Sequence, residues 1–255
     1  MKMGEKSLHQ MSEKEIEHAV KQKYDEVACK PTYSFNFPVG KDFALDVGYP
    51  KSVLDKLPSS MVESFTGANN PQPFIDLQKG EIVLDLGCGA GLDMYFYAKA
   101  VGATGKVIGV DISEEMVKKA NENMKKVGMK QIIIKVGRST DIPLDDDSVD
   151  VVASNGIYNL TPDKKAVMSE VFRVLKTGGR TVFCEIVLNE SLPEEVRKNI
   201  NDWFRCIGGA LPENEFIALM RNVGFERIEI ISKVRNARTG HESSICANIR
   251  AYKPD

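Results

Sequence analysis

The most constraining stretch of this sequence is a short apolar run that leads into alternating glycines. Residues 81–86 suit a buried strand, and Gly87, Gly89 and Gly91 follow at every second position. Glycine accepts positive φ and lets a ligand approach the backbone where a Cβ atom would collide with it. Residues 92–101 have helical spacing, so the turn lies between a strand end and a helix start. In an open α/β sheet this is where nucleotide-like ligands bind.

The spacing of these glycines argues against a dinucleotide as the ligand. The dinucleotide motif G-x-G-x-x-G needs its third glycine where this sequence has Leu92, and Gly91 comes one residue too early. Asp85 precedes the turn, and its carboxylate would repel a pyrophosphate but attract a cationic ligand. A plain tight turn without any ligand is the remaining alternative.

From residue 73 onward, predicted strands and helices alternate, which indicates an α/β fold with a parallel sheet and right-handed crossovers. The strands of this series are predicted at residues 81–86, 106–110, 132–136, 149–153 and 181–187. Helices are predicted at residues 92–101, 113–127, 161–175 and 212–223, and in a segment opened by a capping box at Ser191 and Glu194. Residues 227–232 and 244–252 predict a closing antiparallel pair.

The first part of the chain has a different pattern. Ser12 and Glu15 form a capping-box signature, and helical spacing continues over residues 13–28. Residues 31–73 are rich in glycine, proline and aromatic residues and predict little beyond a short helix near 52–57. A segment this long is expected to lie over the sheet edge as a cap or lid. We therefore predict an N-terminal helix and cap at residues 1–72 and a catalytic domain at residues 73–255.

Composition and charge argue against a nucleic-acid-binding, a membrane-spanning and a disulfide-rich protein. The 255 residues carry a net charge of −2, which gives no electrostatic footprint for nucleic acid, and no apolar run is long enough to span a membrane. The five cysteines are scattered without a C-x-x-C pair, which argues against a disulfide framework and against a structural metal. We expect a cytoplasmic protein, a monomer or weak dimer, with a small-molecule partner and neither a nucleic-acid nor a membrane partner.

The stretch from Asp85 to Gly91 resembles motif I of the class I S-adenosylmethionine (SAM)-dependent methyltransferases, E/D-x-G-x-G-x-G. The resemblance implies a Rossmann-like, seven-stranded, mostly parallel sheet with a C-terminal antiparallel hairpin. It also implies SAM as the cofactor. Asp85 and the backbone of Gly87 and Gly89 would then hold the methionine end of SAM, which carries a sulfonium and an ammonium but no phosphate.

The ends of the next strands supply further candidate cofactor residues. Asp111 follows the second strand and could accept both ribose hydroxyls, although a helix-cap role is the alternative. Ile112 would flank the adenine. Methyltransferases often carry G-D-A-E-x-L-P after the third strand, whereas residues 137–144 lack its two acids. Thr140 or Asp141 is therefore the candidate for the adenine amine, with a solvated turn as the alternative for Asp141.

Two segments resemble the arsenite methyltransferase family more closely. Residues 154–165 match its Ser-Asn-x-x-x-Asn-Leu-x-Pro-Asp-Lys stretch, which supports Asn155 as a cofactor-binding residue near the reactive methyl. Residues 203–211 match the segment that carries an arsenic-binding cysteine, here Cys206. Tyr24 corresponds to a tyrosine that packs near the SAM methionine. This likeness extends over about residues 16–225.

The departures from that family concern the acceptor. Trivalent arsenic is held by several thiolates. Gly156 stands where the family has a cysteine, Tyr158 where a second one sometimes occurs, and Cys29 is the only N-terminal candidate for another thiol.

The sequence therefore leaves four hypotheses. The first is a SAM-dependent methyltransferase, arsenite-methyltransferase-like in sequence, with a different small acceptor. The second is a genuine arsenite methyltransferase that uses Cys206 with another thiol. A nucleic-acid or protein methyltransferase is the third, and a SAM-binding protein without turnover is the fourth.

Three residues are candidates for catalysis, each with a purely structural alternative. Cys206 could contact the acceptor or be a small buried residue on a helix. Tyr158 could line the acceptor pocket or simply pack in the core. Glu185, at the end of the fifth strand, could point into the site as a base.

Overall fold

The computed structural model describes residues 8–239 and 241–255, and it is built around a seven-stranded mixed sheet in the order β3-β2-β1-β4-β5-β7-β6. The strands are β1 (Ile82–Leu86), β2 (Lys106–Asp111), β3 (Ile132–Val136), β4 (Val149–Asn155), β5 (Leu175–Leu188), β6 (Glu226–Arg235) and β7 (Ser244–Tyr252). Neighbours among β1–β5 are parallel, and β7 is antiparallel to both β5 and β6. The predicted mostly parallel sheet with a C-terminal antiparallel hairpin is confirmed.

Helices cover both faces of this sheet. They are α1 (Glu13–Cys29), α2 (Lys41–Asp46), α3 (Lys51–Leu54), α4 (Ser59–Val62), α5 (Gln72–Ile75), α6 (Leu92–Val101), α7 (Glu114–Lys126), α8 (Lys164–Val174), α9 (Glu194–Arg197), α10 (Ile200–Phe204) and α11 (Glu213–Val223). Alternate residues of β1 enter opposite cores: Leu84 packs with α8 and α11, whereas Val83 packs with α6 and α7. No helix in the described ranges is long and apolar enough to cross a membrane.

The strand order places a crevice at the carboxyl ends of β1 and β4. The chain runs outward from β1 through β2 to β3 and then returns to β4 on the other side of β1. The last paired residues of these two strands are Leu86 and Ser154. Because the direction of winding reverses here, the loops after β1 and β4 separate and leave room for a ligand. The glycine turn and Asn155 therefore lie side by side.

The N-terminal helix begins at the predicted capping box. The Ser12 hydroxyl accepts from the Glu15 backbone N–H at 3.3 Å, and the Glu15 carboxylate accepts from the Ser12 N–H at 2.8 Å. The buried face of α1 includes Ile16 and Val20, and the helix packs on α7. Between α1 and β1 the chain forms four short helices, where the sequence predicted only one. Their buried side chains, including Phe43, join the core beneath α6 and α7.

Two predicted helices were wrong in detail, for local reasons. The helix predicted from residue 161 begins at Lys164, because the Asp163 side chain accepts from the Ala166 N–H at 2.9 Å and so caps it there. It ends at Val174 and runs directly into β5, so the glycines at 178 and 179 lie within a strand. The capping box predicted at Ser191 and Glu194 does not form, since Pro193 is the N-cap and has no side-chain cap bond.

The single helix expected after this point is divided in two. The Asn199 side chain accepts from the Asn201 N–H at 2.9 Å and opens α10 as a new helix immediately after α9. An asparagine is a strong N-cap but a weak interior helix residue, which explains the break.

Candidate functional site

A cavity of about 1060 Å³, open to solvent on one side, occupies the crevice at the carboxyl ends of β1, β2 and β4. Its wall is formed by the glycine turn, the ends of β2 and β4, the loop after β3, α1 and the segment of residues 61–67. Its position at the carboxyl ends of the strands, where the winding of the sheet reverses, suits a small-molecule ligand.

The glycine turn has the backbone that the sequence required. The φ angles of Gly87, Gly89 and Gly91 are 79°, 49° and 94°. A Cβ atom on Gly87 would come within 1.9 Å of the Ile157 side chain, whereas a Cβ atom on Gly89 would meet no protein atom within 4 Å. Gly89 lines the cavity, so the absence of a side chain at this position leaves space that a ligand can use.

Asp111 connects this turn to the start of α7. Its Oδ2 accepts from the Gly89 N–H and its Oδ1 from the Ser113 N–H, both at 2.9 Å. Burial raises the pKa of the Asp111 carboxyl, while the two backbone N–H donors oppose that rise. Both Asp111 and Ile112 line the cavity. The helix-cap alternative for Asp111 is wrong, because the N-cap of α7 is Ser113, whose hydroxyl accepts from the Met116 N–H at 3.0 Å. The ribose role of Asp111 stays a prediction.

A second acid at the cavity was missed by the sequence interpretation. Asp93, in the first turn of α6, lines the cavity and accepts from Tyr49 Oη at 2.5 Å and from Gln72 Nε2 at 2.7 Å. Burial raises its pKa, against the effect of these donors. In the sequence, Asp93 is an acid in the first turn of a predicted helix. The helix dipole favours an acid there without any ligand, so the position did not indicate a site.

Asp85 lies behind the turn rather than on the cavity wall. It is 2% exposed, and its Oδ2 has no hydrogen-bond partner among the described residues. Burial and the nearby charges of Asp93 and Asp111 raise its pKa well above the ordinary value. In the described part of the chain, no ion pair joins a basic side chain to any of these three acids. This end of the site therefore fits a ligand that brings a positive charge and hydrogen-bond donors.

The side chain of Asn155 anchors the loop that follows α4. Its Oδ1 accepts from the N–H groups of Ala68 and Asn69 at 2.7 and 3.2 Å. Its Nδ2 donates to the Asn69 carbonyl at 2.8 Å and to Asp93 Oδ2 at 3.1 Å. Asn155 lines the cavity, as the prediction requires, but its polar atoms already hold this loop.

Tyr24 also lines the cavity, from α1. Its hydroxyl accepts from Arg238 Nη2 at 3.0 Å, and its ring stacks on Phe37 with the ring centroids 6.1 Å apart. Burial raises the pKa of the hydroxyl, so Tyr24 remains neutral.

The loop after β3 contributes residues other than the predicted ones. Gly137, Arg138 and Ser139 line the cavity, whereas Thr140 and Asp141 do not, and Asp141 is exposed. The placement of Thr140 and Asp141 therefore gives no support to their predicted role at the adenine. The turn closes through a hydrogen bond from the Asp141 N–H to the Arg138 carbonyl at 3.2 Å, which directs the earlier residues inward.

Tyr158 is a core residue. It is 1% exposed, and its ring lies 4.7 Å from that of Phe183 and 5.7 Å from that of Phe216, measured between centroids. It does not line the cavity, so the structure does not bring it to the acceptor pocket as predicted. A bulky ring gains more from full burial between two other rings than from partial exposure.

Glu185 is buried too and does not line the cavity. Its Oε2 accepts from the Tyr158 N–H at 2.8 Å and its Oε1 from the Ile186 N–H at 3.0 Å. Burial raises the pKa of this carboxyl to about 7. It therefore fixes the turn after β4 instead of pointing into the site as a base.

The raised pKa of Glu185 makes stability depend on pH. The folded state holds a proton that the unfolded state releases near pH 4.5, so this residue should cost roughly 3 kcal/mol of unfolding free energy as pH rises from about 4.5 to about 7. Glu185→Gln removes the titration, and urea unfolding between pH 4.5 and 8 should give a shallower decline than in the wild type. If the free energy of unfolding falls equally steeply with pH in both proteins, this prediction is wrong.

Cys206 is fully buried behind the cavity wall. Its Sγ lies 3.7 Å from the carbonyl oxygen of Gly156, which itself lines the cavity. Burial raises the pKa of the thiol to about 12, although the Arg238 charge opposes the rise. Its φ of 65° places it in the left-handed region just after α10, where glycine is the usual residue. A cysteine kept at such a position is a candidate for a role beyond packing.

The remaining thiols do not complete a site around Cys206. Cys184 and Cys246 lie 2.9 Å apart between β5 and β7, both fully buried, and Cys29 is exposed at the end of α1. Among the residues that the structure describes, no group of three or more histidines, cysteines and acids could hold a metal ion.

Comparison with known proteins places this geometry in a family context. Residues 77–233 match the family described as a methyltransferase domain. A protein of Halobacterium salinarum named arsenite methyltransferase is 36% identical over 197 residues, which are 74% of this chain and 50% of that protein. A demethylmenaquinone methyltransferase of Lactococcus lactis is 41% identical over 106 residues, 42% of each chain.

One solved structure extends the comparison to three dimensions. It is an arsenic(III) S-adenosylmethionine methyltransferase from Chlamydomonas reinhardtii, with 30% identity and a TM-score of 0.62. The match covers 84% of this chain and 73% of that one. The chain spans about half the length of the arsenite methyltransferases of Halobacterium salinarum and Aquipseudomonas alcaligenes.

Proposed function

Since the chain belongs to the class I SAM-dependent methyltransferases and resembles the arsenite methyltransferases among them, we propose that it transfers the sulfonium methyl group of SAM to a small acceptor other than arsenite. The observation that carries this proposal is the contrast between the two ends of the cavity. One end has two buried acids, Asp85 and Asp93, with Asp111 beside them on the cavity wall and no basic ion-pair partner for any of the three among the described residues, and the other has Gly156 where a thiol would be needed.

The acids fit the charged parts of SAM. Asp93 would hold the cationic methionine end, because it opens on the cavity. Asp85, one oxygen of which is buried without a donor among the described residues, lies behind the turn and would act from there without touching the ligand. Asp111 would accept the ribose hydroxyls while it keeps the Gly89 N–H in place. Ile112 lies on the same wall, where an adenine ring can pack.

SAM supplies an activated methyl group that a nucleophile attacks in line. The contribution of this chain is to position the reactants and exclude water. We propose that residues 1–72 form the cap that does this, over a catalytic domain at residues 73–255. Neither His18 nor His241 lines the cavity, so the proposal favours an acceptor that needs no strong general base, such as a thiolate or an electron-rich ring.

Arsenite methylation is the second candidate function. It is favoured by the names of the relatives and by Cys206, which holds a left-handed conformation against the carbonyl of Gly156. The other thiol would have to come from another cysteine or from a thiol cosubstrate. Cys88 also lines the cavity, but it belongs to the glycine turn at the cofactor end.

An acceptor screen that follows S-adenosylhomocysteine (SAH) release tests both candidates. The compounds to compare are arsenite, small thiols and quinone-like compounds, each with and without glutathione. Turnover with a thiol or a quinone-like compound but not with arsenite supports the proposal. Turnover with arsenite alone overturns it. SAH binding without turnover of any compound would indicate a SAM-binding protein instead.

Cys206→Gly separates the two candidates further. Glycine suits the φ of 65°, so the variant should fold, although it loses the packing of a buried thiol. We expect its rate with a non-arsenical acceptor to stay within about threefold of the wild type, a change of less than 1 kcal/mol in the barrier. Under the second candidate, its arsenite methylation should fall to background. Loss of the non-arsenical activity in a folded variant would show that Cys206 also serves the non-arsenical acceptor and would contradict this expectation.

A further inference from the structure

The turn between β6 and β7 inserts a buried arginine between three separate parts of the chain. Arg238 is 3% exposed. Its Nη2 donates to Tyr24 Oη at 3.0 Å and to the Phe204 carbonyl at 3.1 Å. Its Nη1 donates to the carbonyls of Thr66 and Gly67, the latter at 3.4 Å. One guanidinium thus joins α1, the loop after α4 and the end of α10.

This guanidinium is a buried charge without an anionic partner. No carboxylate lies within ion-pair distance of Arg238 in residues 8–239 and 241–255. The Phe37 ring lies under it, 4.8 Å from Cζ to the ring centroid. A buried cation without a carboxylate depends on neutral oxygens and on the ring face for its solvation. The four oxygens are therefore held firmly around it.

Three of the four partner residues belong to the cavity wall. Tyr24, Thr66 and Gly67 line the cavity, and Phe204 immediately precedes the segment that carries Cys206. The Gly67 side of this arrangement leads directly to Ala68, whose N–H donates to Asn155 at 2.7 Å. The loop of residues 66–69 is thus held from outside by Arg238 and from inside by Asn155.

We propose that Arg238 is a positioning residue that closes the cofactor cavity by fixing Tyr24 and the loop of residues 66–69 from behind. This inference rests on the proposed function only in taking the cavity as the SAM site. The planar fork of guanidinium donors is needed, because a lysine ammonium carries its donors on one atom and cannot reach oxygens on three segments together.

The first test is SAH affinity, measured by calorimetry. Arg238→Met and Arg238→Lys should each weaken SAH binding at least about tenfold, since each loses several charge-assisted hydrogen bonds. Arg205→Met is the matched control. Arg205 donates to the Thr239 carbonyl of the same turn at 2.8 Å and pairs with Asp202 at 3.1 Å, and neither of these partners lines the cavity. Affinity in the control should stay within about twofold. Wild-type affinity in Arg238→Lys would overturn the proposal.

Chemical rescue distinguishes positioning from general destabilisation. Arg238→Ala leaves a space shaped for a guanidinium, so millimolar methylguanidinium should restore most of the SAH affinity, whereas methylammonium should not. Equal rescue by both cations, or rescue by neither in a folded variant, would show that the fork itself is not required.

A measurement without cofactor keeps this inference separate from the proposed function. Amide hydrogen exchange of residues 64–70 should be at least about tenfold faster in Arg238→Met than in Arg205→Met. If the wild type fails to bind SAH, the proposed function fails, and the exchange result still decides whether Arg238 holds the loop. Unchanged exchange at residues 64–70 would overturn the inference.

Discussion

Asp111→Ala should weaken SAH binding at least about tenfold and could approach a hundredfold, because it removes a carboxylate able to accept from two ribose hydroxyls. The same change frees the N–H groups of Gly89 and Ser113, both of which Asp111 accepts at 2.9 Å. The glycine turn then loses its connection to α7. Calorimetric titration with SAH measures the loss directly.

Asp111→Asn is the matched control for this prediction. Asparagine keeps the shape but has a single acceptor oxygen, so it retains only one of the two backbone hydrogen bonds that Asp111 accepts, and it loses the negative charge. We expect an affinity between those of the wild type and the alanine variant. If the alanine variant binds SAH as tightly as the wild type, the carboxylate only holds the backbone of Gly89 and Ser113, and the ribose assignment is wrong.

Substitutions at two glycines of the turn should have different effects: Gly87→Ala should mainly lower stability, and Gly89→Ala should mainly lower SAH affinity. Gly87→Ala should lower the unfolding free energy by about 2–4 kcal/mol, because a residue with a Cβ atom is strained at φ 79° and collides with Ile157. Gly89→Ala should cost only about 1 kcal/mol, from its φ alone. Its methyl group would enter the cavity, so SAH affinity should fall at least about tenfold.

Gly128→Ala provides the reference for this comparison. Gly128 has a φ of 70° and nothing within 4 Å of an added Cβ atom, as at Gly89, but it lies after α7 and away from the cavity. Its cost in stability should resemble that of Gly89→Ala, with SAH affinity unchanged. Urea unfolding and calorimetry on the three variants test this division. Full SAH affinity in Gly89→Ala would show that no ligand approaches the turn there.

Local sequence patterns predicted much of the sheet because apolar periodicity and glycine punctuation act over a few residues. Helix α6 and strand β3 have the bounds that the sequence pattern predicted, residues 92–101 and 132–136. The errors occurred where two local signals competed. Asp163 caps α8 later than the predicted start at residue 161, and Asn199 divides the next helical segment, because side-chain caps decide where a helix can begin.

Tyr24, on α1, was predicted from the family resemblance, whereas the other predicted residues of the cavity wall come from the ends of successive strands. Asp111 and the glycine turn were found in this way. Asp93 and Arg238 were not, since their roles depend on partners far away in sequence: Tyr49 for one and Tyr24 for the other. The opposite error occurred at Tyr158, which was predicted to line the acceptor pocket but lies in the core. A sequence pattern cannot distinguish a residue of the pocket wall from one of the core behind it.

The amide of Asn155 makes the two ends of the site thermodynamically interdependent. It bonds the backbone of Ala68 and Asn69 on one side and the carboxylate of Asp93 on the other. We therefore expect a cation that binds Asp93 to change how firmly this amide holds the loop. By linkage, a change that loosens the loop must alter the affinity for the cation by the same factor. Binding of the cation at Asp93 and tightening of the loop at Ala68 and Asn69 would then be one coupled equilibrium, which could be measured at either place.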